Sequence, residues 1–168
     1  KKWRMDTLPI IPEHIKIKAI KNTIDQYKIL EKMLKSDDIE SLICATDSGR
    51  EGELIFRYIY ELAGCKKPFK RLWISSMTAQ AIKEGFEKLK DGSEYDNLYH
   101  SAKCRSEADW LVGINASRAF TIKYNTLLSI GRVQTPTLAI IVARQKEIDS
   151  FVVSEYWEVQ ADFGEYKG

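Results

Sequence analysis

The chain has 168 residues, enough for one hydrophobic core or for two small ones joined by short contacts. Its 26 Lys and Arg stand against 24 Asp and Glu, a formal charge of +2, which excludes a basic tail that coats nucleic acid unselectively and confines any polyanion contact to a local patch. Three scattered cysteines, Cys44, Cys65 and Cys104, form no CxxC pair; this argues against a disulfide framework or structural zinc site and fits a reducing cytoplasm. No apolar run approaches the length of a membrane span, and Lys1-Lys2-Trp3 lacks the order of a signal peptide. A start without methionine is consistent with an internal segment of a longer protein, and equally with processing.

In chain order, Leu8-Pro9-Ile10-Ile11-Pro12 is extended, because each proline lacks an N–H and pushes its predecessor out of the helical region. Ile17, Ile20, Ile24, Tyr27, Leu30 and Leu34 recur every three or four residues, which predicts an amphipathic helix. Ile39 to Thr46 reads as a buried strand that ends at the turn Asp47-Ser48-Gly49, and a helix follows from about Glu51 to Leu62, closed by Gly64. The order repeats: Phe69 to Ser75 as strand, Thr78 as N-cap, then a helix carrying Ile82, Phe86 and Leu89 up to Asp91-Gly92. This alternation predicts a parallel α/β layer. Beyond Gly92 the pattern is helical, as one long helix or two short ones, until a loop from Asn125 to Gln134. Thr135 then caps a helix that opens with Pro136 and carries Leu138, Ile141, Val142 and Ile148 on one face. Trp157, Val159, Ala161 and Phe163 alternate with polar residues, as in a half-buried terminal strand.

Three constellations carry chemistry. Asp47-Ser48-Gly49-Arg50-Glu51-Gly52-Glu53 sits where a strand exits into a helix, the edge at which parallel sheets bind ligands. Magnesium takes one or two carboxylates and completes its shell with water and phosphate, so Asp47 and Glu51 form a candidate pair, with Arg50 as a phosphate partner. Ser48 and Glu51 also have the spacing of a capping box. Glu53, two positions from Glu51, faces elsewhere and reads as a supporting hydrogen-bond acceptor. Arg105 and Asp109 share a helix face at i, i+4, spaced either for a surface salt bridge or to hold a nucleotide, with Arg118 further along. Ser129-Ile130-Gly131-Arg132-Val133-Gln134 joins a permissive glycine, a bidentate phosphate donor and a base-reading amide ahead of a helix N-terminus.

The first run resembles the acidic motif of the Toprim fold, Asp-x-Asp-Arg-Glu-Gly-Glu, with Gly49 at its second aspartate. Together with Ser106 to Asn115 and Ser129 to Thr135, in that order, the chain resembles type IA DNA topoisomerases, the topoisomerase III branch in particular, over nearly its whole length. The resemblance implies an α/β fold class: part of a Toprim domain with a Rossmann-like parallel sheet over 1–95, a mainly helical DNA-binding domain over 96–150, and from 151 to 168 the first strand of a gate-arch domain. It implies that the parent enzyme relaxes or decatenates DNA by single-strand cleavage, passage and religation, using Mg2+ and no nucleoside triphosphate. Asp47 and Glu51 are implied metal ligands; Arg50, Arg105, Asp109, Arg118, Ser129, Ile130, Gly131, Arg132, Val133 and Gln134 are implied nucleic-acid contacts. The implied partners are single-stranded or negatively supercoiled DNA and the remaining domains of a longer cytoplasmic protein, with no membrane. Family members cut with a tyrosine in a Tyr-x-Arg-Thr-(Asp/Glu)-Ser-like context, which surrounds none of the eight tyrosines here, so the chain alone is expected not to cleave. Another Toprim enzyme, a primase or nuclease, and a non-catalytic single-strand-binding module are the alternatives; the latter calls for a row of exposed aromatics.

Overall fold

A computed structural model describes residues 3–168 and shows a mixed α/β chain. After an extended lead-in come helix α1 (Ile24–Lys35), strand β1 (Leu42–Cys44), helix α2 (Arg50–Leu62), strand β2 (Phe69–Arg71), helix α3 (Ala79–Glu87) and strand β3 (Lys90–Asp91). Helices α4 (Asp96–Tyr124) and α5 (Gln134–Asp149) complete the regular elements. The predicted first helix is shorter than its spacing suggested. From Ile15 to Ala19 burial alternates with every second residue, because Ile15, Ile17 and Ala19 alternate with Lys16 and Lys18; that is the period of extended backbone.

The sheet has the order β1-β2-β3. Strands β1 and β2 run parallel, Leu42 opposite Phe69 and Cys44 opposite Arg71, as the strand–helix–strand order requires. Strand β3 is antiparallel to β2, with Lys70 opposite Asp91, so the expected parallel layer is a mixed one. Two residues were too few to leave an alternating pattern in the sequence. Thr78 caps α3 as expected, its hydroxyl accepting the Ala81 amide at 3.3 Å.

Helix α2 is the centre of the packing. Leu54 and Tyr58 meet Tyr99 and Ala102 of α4, while Phe56 and Tyr60 pack on Phe69 of β2, with ring centroids 4.8 and 5.4 Å from it. The helical region is one 29-residue helix ending at Asn125 in the left-handed conformation, φ 51°. The terminal strand did not form: from 151 to 161 the chain has no regular secondary structure and is exposed, and pairing is confined to an antiparallel bridge between Asp162 and Lys167. Its alternating side chains have no second sheet to face, and an isolated hairpin has little stability of its own.

The described chain exposes 13,771 Å². A compact monomer of 19.4 kDa exposes about 8,500 Å², and the excess is concentrated where the packing is thinnest. No residue of α5 is buried, although Leu138, Ile141, Val142 and Ile148 read as one apolar face.

Candidate metal and nucleic-acid site

The acidic turn is built from its backbone. Asp47 leaves β1 through Ala45 and Thr46, and its carbonyl accepts the Gly49 amide at 2.9 Å. The turn lies so close to the first turn of α2 that a methyl group on Gly52 would stand 2.1 Å from the Asp47 carbonyl oxygen, so only glycine fits. Thr46 Oγ1 donates to the Gly52 carbonyl at 2.8 Å, closing the same contact from the other side.

The capping box that Ser48 and Glu51 spell is not formed. Gly49 occupies the N-cap with extended backbone and no side-chain cap, and Ser48 Oγ instead accepts the Ile74 amide at 2.9 Å, tying the turn to the segment after β2. Asp47, Arg50 and Glu51 are exposed, and their charged ends have no ion-pair or hydrogen-bond partner among the described residues. Free carboxylates are the kind of donor magnesium takes, with water and phosphate completing its shell. Among the described residues no group of three or more His, Cys, Asp or Glu is placed to hold a metal ion.

Glu53 is fully buried and takes the supporting role its position suggested. Its Oε1 accepts Arg57 Nε and its Oε2 accepts Arg71 Nε, each at 2.9 Å. Sequence reading missed Arg71, which is also fully buried; in a short strand its exposed neighbours Lys70 and Lys66 disguised it as one more surface cation. Arg57 extends the chain of charges to Asp96 at 2.7 Å, at the start of α4.

On α4, Asp109 lies between two arginines. It accepts Arg132 Nε from the loop and stands 3.9 Å from Arg105 Nε on its own helix. The fold thus brings together Arg105, Asp109 and Arg132, each a little over 40% exposed at the side chain. The loop reaches them because two hydroxyls one helical turn apart hold it. Ser117 Oγ bonds both the N–H and the carbonyl of Ile130, and Thr121 Oγ1 does the same for Leu128. Neither hydroxyl stood out in the sequence; serine and threonine at i, i+4 on a helix facing a loop were the available signal.

Around Gly131 the helix start is largely self-satisfied. Thr135 does not cap α5: its hydroxyl accepts the Gly131 amide at 3.1 Å, its own amide donates to the Gly131 carbonyl, and Pro136 has no N–H. An anion here meets Arg132 more than helix amides. Gln134 Nε2 turns back to Ser129 Oγ at 3.4 Å, and Val133 is exposed. Arg118 lies elsewhere, its guanidinium carbon 5.3 Å from the Trp3 ring, beside the extended lead-in that Asn115 holds through the Ile10 N–H and carbonyl.

Residues 93–168 match the family model described as DNA topoisomerase. That part of the chain is thus similar to DNA topoisomerases. The chain is also 55% identical over 159 residues to DNA topoisomerase 3 of Bacillus subtilis and 50% identical over 166 residues to that of Staphylococcus epidermidis. These alignments cover 95% and 99% of the chain but only 22% and 23% of the relatives, so the chain spans less than a quarter of their length.

Proposed function

We propose that this chain is part of a type IA DNA topoisomerase and that it supplies the metal-binding turn and a single-strand-gripping helix, while the strand-cleaving tyrosine lies in another part of the protein. The Arg105–Asp109–Arg132 cluster carries the reading: the fold gathers two fork-shaped phosphate donors from separate segments at one exposed place, in a chain half identical to named topoisomerases. Arg132 and Arg105 hold the backbone of a single strand, and Gln134 and Ser129 lie beside them for sugar or base contacts. Arg50, beside Asp47 and Glu51, takes a further phosphate.

Asp47 and Glu51 would hold Mg2+, which when bound neutralises phosphate charge near the broken strand. The residues of the chain itself bind and orient the DNA. The relatives' names favour this reading over a primase, a nuclease or a passive binding module. The substrate is negatively supercoiled or single-stranded DNA, and the partners are the protein's other domains. No described helix is long and apolar enough to cross a membrane, and we place the enzyme in the cytoplasm with its DNA.

The test is Arg132→Ala in the full-length protein. Relaxation of negatively supercoiled DNA should slow, and the slope of log affinity for a single strand against log salt should fall by about 0.7, the value of one phosphate contact. An unchanged slope refutes the arginine clamp; absence of relaxation in the unaltered protein refutes the enzyme.

A further inference from the structure

Arg71 does more than neutralise Glu53. Arg57 already stands against the other carboxylate oxygen of Glu53, so an ion pair for that buried acid exists without Arg71. The remaining N–H groups of Arg71 go to main-chain carbonyls at the exits of the two parallel strands: Nη1 to Cys44 at 3.1 Å, Thr46 at 2.8 Å and Leu72 at 2.7 Å, and Nη2 to Asp47 at 2.5 Å. The Trp73 ring, 5.1 Å from the guanidinium carbon and stacked on Tyr95, covers the group. The main chain of Asp47 is thus fixed from within, while its carboxylate stays exposed and unpartnered among the described residues.

We propose that Arg71 and Glu53 are positioning residues for the acidic turn: Glu53 anchors the guanidinium, and the guanidinium sets the backbone of Thr46 and Asp47 and hence the line along which the Asp47 carboxylate projects. The role needs the planar fork of arginine. Lysine retains the charge but has one nitrogen in place of a planar fork, so it cannot reach the carbonyls of both strands and Glu53 together. The pair acts on the reaction only through Asp47. The inference rests on the reading of Asp47 and Glu51 as metal carboxylates, and the experiment separates the two.

Manganese(II), followed by the electron paramagnetic resonance of the free ion, is titrated into the full-length protein and its Asp47→Asn, Arg71→Lys and Glu53→Gln forms, with thermal melting recorded for each. Asp47→Asn should abolish one site. Arg71→Lys and Glu53→Gln, while folded, should weaken that same site about tenfold or more, the usual effect of losing a group that orients a ligand. Either form folded and binding manganese as tightly as the parent overturns the positioning role and leaves the metal reading standing. Failure of both to fold makes the pair structural only, which overturns it too. Manganese binding unaffected by Asp47→Asn removes the metal reading, and the inference with it.

Discussion

On the proposed function Asp109 is an acid at a polyanion site, and its neighbours explain why that is tolerable. Facing Arg132 and Arg105 at once, it would stand where a phosphate binds and hold the two guanidinium groups together. An arriving phosphate must displace it, so the pairing orders the clamp but opposes tight binding. Such exposed pairs contribute only about 0–1 kcal/mol each to stability. Asp109→Asn should therefore leave thermal melting nearly unchanged, raise single-strand affinity at low salt, and steepen the salt slope as both arginines become free to release counterions. Weaker binding with a shallower slope would show instead that the carboxylate is needed to aim the arginines. Gly52 is the opposite kind of residue: it meets no ligand, yet any side chain there collides with the Asp47 backbone.

The contact of α2 with α4 joins the sheet to the helical region, and Tyr99 stands at its middle. Its ring is buried, its hydroxyl donates to a Glu61 carboxylate oxygen, and the Arg57 guanidinium lies 5.3 Å from the ring. Burial first, and then the Glu61 hydrogen bond, hold this phenol well above its ordinary value of 10.0. The unfolded chain gives up that proton first, so the stability Tyr99 contributes is complete below pH 10.0 and is lost as pH rises past it. Burial likewise pushes the Cys44 thiol above its ordinary 9.0, so the alkaline loss begins with Cys44 and deepens with Tyr99. Denaturant unfolding between about pH 9 and about pH 11 should show falling stability, with a smaller fall in Tyr99→Phe. Equal falls in both would remove Tyr99 from the balance. At this scale the sequence was most legible for α2 and for α3 with its Thr78 cap, where turn residues marked the helix bounds; the region after Gly92 read as one long helix or two short ones, and the structure makes it the single α4. The sequence was least legible where partners decide. Ile15 to Ala19 fits both periods until burial is known, β3 has only two residues, and the terminal strand was written without a sheet to receive it. The candidate site divided the same way. Asp47, Glu51 and Arg132 could be singled out as candidates by type and position, whereas Arg71, Ser117 and Thr121 act through backbone groups that no side-chain pattern records.

Over the whole molecule, apolar surface is distributed unevenly. Helix α2 is half covered by the sheet and α4, but α5 presents Leu138, Ile140 and Ile141 at 60% exposure or more, with none of its residues buried. Apolar residues surround much of its circumference, the pattern of a helix packed on several sides. Soluble monomers seldom leave so continuous a patch uncovered. The relatives are more than four times the length of the aligned region, which leaves ample chain to cover it. This predicts a difference between contexts for one substitution. In the isolated 168 residues, Ile141→Asp replaces an exposed side chain with another exposed one, and melting should shift little. In the full-length protein, the same change loses about 1.5–3 kcal/mol of buried apolar contact and forces a carboxylate against it, so the midpoint of unfolding should fall by several degrees, with amide exchange along α5 accelerating. Equal behaviour in the two contexts would mean that α5 stays bare in the intact protein, and its apolar surface would then have to meet something other than the protein's own domains.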